Sequence, residues 1–219
     1  DEKMCCNDCD CGLGICYEGF CEESNTPSDT TIPVFSSTVD PETASFVRYL
    51  YTIKNSVKGE TNMCAGFIML LLDKKYTNKE LLGITGHAWD MLANMMNNNK
   101  NQIICQYRGA TNNCNGITPQ PGDFVFFRNP KVPSVSYWSD ITSVCYNMKD
   151  NYKFCDYSYH VNIRDYPITT HVAIYGGSDF LFDQWGSDTN RGTLSGRITW
   201  AGYVTAIIRP DYSKLNRRR

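Results

Sequence analysis

The chain has 219 residues, 42% hydrophobic and 20% charged, with a net charge of -2. That composition excludes wholesale disorder, and the near-neutral charge removes any general electrostatic case for nucleic-acid binding. The longest apolar run, Phe67 to Leu72, falls far short of the ~18 residues a membrane helix needs, so no membrane partner is expected.

Cysteine usage divides the chain. Six of the 11 cysteines, Cys5, Cys6, Cys9, Cys11, Cys16 and Cys21, crowd into the first residues. A segment this short cannot bury a core, so residues 1–23 are expected to form an acidic disulfide module. A thiolate metal cluster is the rival reading; disulfides are preferred because the later cysteines also look like crosslinks, and no metal is assigned. The same density points to a secreted, extracellular or particle-borne protein, and a chain beginning at Asp1 is compatible with prior removal of a signal peptide. Residues 24–42, rich in Ser, Thr and Pro, read as a linker or strap.

A domain over 43–212 follows. Phe46, Val47, Leu50, Tyr51 and Ile53 carry helical spacing, and Thr61 to Leu72 reads as a buried helix beginning close to Cys64. Thr77 to Glu80 fits a capping box, and Gly86 to Met95 reads as a further helix. The texture then changes to strands: Ile103 to Tyr107, Asp123 to Phe127 after the Pro121-Gly122 turn, Thr170 to Tyr175, Phe180 to Trp185 as its hairpin partner, and Val204 to Arg209. Helices first and an antiparallel sheet second predict an α+β fold. Residues 129–167 form an aromatic insertion, either a groove wall or a surface loop burying its own rings, and the basic tail 213–219 is expected to be disordered, with a processing site or a contact for anionic polymer as the alternatives.

Among the later cysteines, Cys105 with Cys114 and Cys145 with Cys155 each bracket a loop that a disulfide could close. Cys64 has no such neighbour, and a helix start favours its thiolate through the dipole and the free N–H groups. A nucleophilic cysteine needs a base. Of the three histidines, His87 reads as a surface or packing residue and His160 lies in the aromatic insertion, whereas His171 opens a strand that would hold an imidazole rigidly. The hairpin returns Asp183 and Gln184 beside His171; Asp183 is the preferred orienter, because it would stabilise the imidazolium by charge, with Gln184 as the alternative.

In their order, Cys64, Gly86-His87-Ala88-Trp89, Gly122-Asp123-Phe124-Val125-Phe126-Phe127, His171-Val172-Ala173-Ile174-Tyr175 and Asp183-Gln184-Trp185-Gly186 resemble the CHAP branch of the NlpC/P60 superfamily of papain-like cysteine amidases and endopeptidases. The chain departs from that pattern in having His87 where the family often has Asn, an early Trp89 and a long gap before His171. The resemblance implies a papain-like fold, with helices packed on an antiparallel sheet, and hydrolysis of peptidoglycan or another amide-containing polymer without a cofactor. In that mechanism the Cys64 N–H forms part of an oxyanion hole, Asn62 is a candidate second donor, and Trp89, Trp138 and Trp185 are candidates for lining the substrate groove. The alternatives are the same fold acting on another acyl substrate, and a catalytically silent structural or adhesive component.

Overall fold

The computed structural model describes residues 35–36, 38–59, 64–107, 114–128, 137–139, 165–185, 188–189, 192–201 and 203–218, and the backbone alone of 15–17 and 20–22; for 185, 188, 200 and 201 it likewise describes only the backbone. The chain divides into two units, 1–31 and 32–219. In the first, strands β1 (Ile15–Tyr17) and β2 (Phe20–Glu22) pair antiparallel, with Cys16 opposite Cys21. Cys5, Cys6, Cys9, Cys11, Cys145, Cys155 and Asn62 lie outside the described residues.

The second unit is α+β. Its helices are α1 (Pro41–Ile53), α2 (Cys64–Asp73) and α3 (Ala88–Met96), followed by strands β3 (Asn101–Gln106), β4 (Phe124–Arg128), β5 (His171–Gly177), β6 (Phe180–Phe182), β7 (Gln184–Trp185), β8 (Asp188–Thr189) and β9 (Gly192–Thr193). Helix α4 (Leu194–Ala201) and strand β10 (Tyr203–Pro210) complete it. Six strands form one antiparallel sheet in the order β3-β10-β4-β5-β6-β9, and β7 pairs with β8 separately.

Local chemistry accounts for the helix ends. Asp40 caps α1, its carboxylate accepting the N–H groups of Glu42 at 2.8 Å and Thr43 at 3.1 Å, and Pro41 occupies the first turn, where a missing N–H costs nothing. Phe46, Val47 and Leu50 then repeat on one face and are completely buried. The expected capping box forms differently. Thr77 turns its hydroxyl to the Asn216 carbonyl, and Asn78 precedes a short 3-10 helix, Lys79–Leu82, without a side-chain cap bond.

Strand alternation gives the sheet two apolar faces. Phe124, Phe126, Val172, Ile174, Phe182, Ala206 and Ile208 pack with α1, α2 and α3 in the larger core. Val125, Phe127, Ala173, Tyr175, Leu181, Val204 and Ile207 form the smaller one, against Leu194 and Ile198 of α4 and the buried Cys114. Both faces are covered, so β4 and β5 are buried at every residue and their sequences run apolar without alternation. A register irregularity between Val204 and Ala206 lets those two residues serve opposite faces although they are two apart.

Two expectations are corrected. The partner strand of β5 ends at Phe182, and Gln184–Trp185 belongs to the small β7–β8 sheet, so the hairpin is shorter than Phe180 to Trp185. The basic tail is docked through Arg218: Tyr212–Lys214 forms a 3-10 turn, Arg217 pairs with Glu42, and Arg218 donates to the carbonyls of Lys75 and Tyr76. These bonds satisfy backbone carbonyls in the turn that follows α2.

The Cys105–Cys114 disulfide is present, with a sequence separation of 9. Closing so short a loop restricts the unfolded chain by roughly 2–3 kcal/mol. Cys105→Ala/Cys114→Ala is expected to lose about that much stability in guanidinium denaturation while leaving Cys64 equally reactive towards iodoacetamide; a loss of under about 1 kcal/mol would remove the crosslink from the stability of this face.

Candidate active site

Helix α2 begins at Cys64, so the thiol sits at the helix start, where backbone N–H groups have no intrahelical partner. Cys64 is free and partly exposed. Below it the helix is anchored by Ala65, Phe67, Ile68, Leu71 and Leu72, all buried. The apolar run that makes this helix a core element therefore also fixes the position of its first residue.

His171 is the first residue of β5, is 2% exposed, and pairs with Phe127 of β4, whose ring centre lies 5.9 Å from the imidazole. The entry to the strand is pinned: the Thr169 hydroxyl bonds the Phe127 carbonyl at 3.1 Å, and the Thr170 N–H bonds the same carbonyl at 2.8 Å. The strand pleat places His171 on the same side as Ala173 and Tyr175, the side that α4 covers.

Asp183 follows β6 directly and is completely buried. Its Oδ2 lies 2.9 Å from Nε2 of His171 and 2.8 Å from Nε of Arg197 on α4. With Nε2 held by the carboxylate, Nδ1 is the ring nitrogen left to meet the Cys64 sulfur. Gln184, the next residue, is 1% exposed and alternates away; its Oε1 would have to shift to admit a side chain at Gly59. Of the two candidate orienters, Asp183 is the one hydrogen-bonded to the imidazole by its carboxylate.

The electrostatics follow from this arrangement. Burial pushes the Cys64 thiol up, but the hydrogen bond and charge of His171, with the backbone N–H groups of Val172 and Ala65, outweigh it and hold the thiol below its ordinary value. Burial works against the imidazolium of His171, yet its bonds to Asp183 and Cys64 raise its proton affinity overall. Asp183 is raised by burial and lowered more strongly by Arg197 and His171, to about 2. The contact that lowers the thiol is also one that raises the imidazole, so the pair favours a thiolate beside an imidazolium more than either group would alone.

The groove candidates fare differently. Trp138 is fully enclosed and Trp89 is 9% exposed, their rings edge-on with centres 6.3 Å apart. The expectation that they line an open groove is corrected: they pack on each other, and no face of the Trp138 ring reaches solvent. The Trp185 side chain and His160 lie outside the described residues, and His87 is exposed and stacked on Trp89 at 4.7 Å. Sequence reasoning missed Arg197 and Gly192. A buried carboxylate calls for a countercharge, but nothing in the spacing says which arginine supplies it.

Comparison with known proteins finds no match: no family model, no curated protein and no solved structure corresponds to this chain.

An aspartate with a depressed folded pKa contributes stability that is fully present above its ordinary 3.8 and is lost as the pH falls through about 2. For Asp183 that contribution is roughly 2 kcal/mol. Acid unfolding of Asp183→Asn, followed by circular dichroism, is expected to show a shallower loss of stability across this window than the parent chain. Parallel curves would mean that the carboxylate is not charged and paired in the folded protein.

Proposed function

We propose that residues 43–212 form a papain-like cysteine hydrolase of the NlpC/P60-CHAP type, an amidase or endopeptidase cleaving amide or peptide bonds of peptidoglycan. The reading rests on one observation: a free cysteine at a helix start, hydrogen-bonded to a strand histidine whose other nitrogen is held by a buried aspartate. The free thiol also weighs against the silent structural alternative, in which a cysteine of this chain would more naturally serve as a crosslink. The choice of peptidoglycan rests on the ordered motif resemblance, and helices packed on an antiparallel sheet are compatible with it.

In this mechanism His171 takes the Cys64 proton, and the thiolate attacks the amide carbonyl. The developing oxyanion is met by the Cys64 backbone N–H and by a second donor, for which Asn62 is the candidate. His171 returns the proton to the leaving amine, giving a thioester. Water, deprotonated by His171, then attacks the thioester and releases the carboxylic acid and the free thiol. Asp183 keeps the imidazole in the correct tautomer and stabilises its charged form. The chain's own residues supply every proton transfer.

Digestion of purified peptidoglycan, read by mass spectrometry, tests the reading. The parent chain is expected to release fragments with new amino termini and Cys64→Ala none, while Asp183→Ala retains activity reduced by roughly 10²–10⁴-fold. Equal turnover by Cys64→Ala would overturn the assignment. No fragments from a parent chain with a reactive Cys64 would move the activity to another amide-containing substrate, and a larger loss in Gln184→Ala than in Asp183→Ala would reassign the orienter.

A further inference from the structure

We propose that Arg197 is a positioning residue for the Cys64–His171 pair: by binding the Asp183 oxygen that also holds the imidazole, it keeps that carboxylate charged and in place throughout the reaction cycle. The inference rests on the cysteine-hydrolase reading and extends it from three residues to four.

The geometry carries it. Oδ2 of Asp183 receives both His171 Nε2 at 2.9 Å and Arg197 Nε at 2.8 Å, and the three side chains are 1%, 2% and 10% exposed for aspartate, histidine and arginine. This is no solvent-screened surface pair. The imidazole changes charge as it works, being cationic beside the thiolate and neutral once its proton has gone to the leaving amine. At that second stage Asp183 would be a buried anion without a neighbouring cation, which is strongly unfavourable. A guanidinium does not lose its proton, so Arg197 supplies the countercharge at both stages.

The fold is also built to deliver this arginine. Helix α4 starts directly after β9, which pairs with β6, and its first turn is tied to the β5–β6 turn: Leu194 N–H bonds the Asp179 carbonyl at 2.7 Å, and Ser195 N–H bonds Asp179 Oδ1 at 2.9 Å. Asp179 itself has a φ of 68°, an uncommon conformation for a non-glycine residue. Anchoring the start of α4 there directs Arg197, one turn later, back over the end of β6. Gly192 leaves room for the contact, since a Cβ there would come within 2.8 and 2.9 Å of the Asp183 oxygens and 3.1 Å of Arg197 Nε. The ionisable groups that face one another here include Cys64 from α2, His171 from β5, Asp183 after β6, and Arg197 from α4, while β4 presents the ring of Phe127.

The test needs no substrate. Alkylation of the full chain by iodoacetamide is followed against pH, with modification read on the Cys64 peptide by mass spectrometry. The parent chain is expected to show a reactivity plateau that begins below the ordinary thiol range and ends in a step where the imidazolium loses its proton. Removing a fixed positive charge raises the proton affinity of both groups, so Arg197→Gln is expected to move both edges of the plateau up by roughly half to one pH unit. Arg197→Lys, which keeps the charge, is expected to restore the parent position. A plateau unmoved by Arg197→Gln, or moved equally by Arg197→Lys, overturns the proposal and leaves Arg197 a packing residue. A parent chain with no plateau below the ordinary thiol range overturns the hydrolase reading itself. If Arg197→Gln does not fold, Asp183→Asn/Arg197→Gln decides: recovered folding shows that the uncompensated carboxylate was the cause, and continued failure overturns the proposal.

Discussion

A buried carboxylate requires compensation, and Asp183 receives it from two sides at a single oxygen. One partner is the imidazole of His171, the other the guanidinium of Arg197. Several features of the second unit are arranged around that requirement. The β6 strand stops at Phe182, so that the next residue can turn to the imidazole rather than continue the ladder. Position 192 is glycine, because any side chain would displace the carboxylate. The start of α4 is fastened to Asp179, which directs Arg197 inward. Without the carboxylate, the buried imidazole and guanidinium would both lose their shared acceptor.

The site lies where the two layers of the domain meet the end of the sheet. The thiol comes from α2, in the layer that packs on Phe124, Phe126, Val172 and Ile174. The carboxylate and the guanidinium belong to the opposite side, with α4 and the smaller core. His171, first in its strand, is in contact with both sides, with Cys64 from α2 and with Asp183. The position of the thiol relative to the imidazole therefore depends on how α2 seats on β5, and that seating is made by large buried side chains such as Phe67, Ile68 and Leu71, each contributing about 1.5–3 kcal/mol of burial. Packing far from the thiol fixes the reach of the hydrogen bond.

Much of this was legible in the residues. The apolar stripe Phe46, Val47, Leu50 marked α1, the run from Cys64 marked α2, and β4, β5 and β10 stood out as apolar segments beside Gly and Pro signals. The pairing of Cys105 with Cys114 followed from proximity in sequence, and the association of Cys64 with His171 followed from chemical need, since His171 opened a strand while His87 read as a surface or packing residue and His160 lay in the aromatic insertion. What was not legible has physical reasons. Trp89 and Trp138 are amphipathic enough to suit a binding groove or a core, and packing across the chain put them together inside. The tail carries the charge of a solvated segment, yet Glu42, brought close by folding, holds Arg217.

The sequence by itself marked α1, α2, α3 and the main strands of the sheet, because hydrophobic periodicity is local, and it showed which residue types had the chemistry of a nucleophile, a base and an orienter; helix α4 and the short strands β7, β8 and β9 emerged only in the folded chain. Charge favoured Asp183 over Gln184 in the sequence, but only the tertiary structure put the Asp183 carboxylate in hydrogen bond with the imidazole, where the chain leaves the ladder between Phe182 and Gln184. Tertiary structure alone brought in Arg197, because a countercharge is selected by distance in space, and the separation of Asp183 from Arg197 along the chain carries no periodic signal.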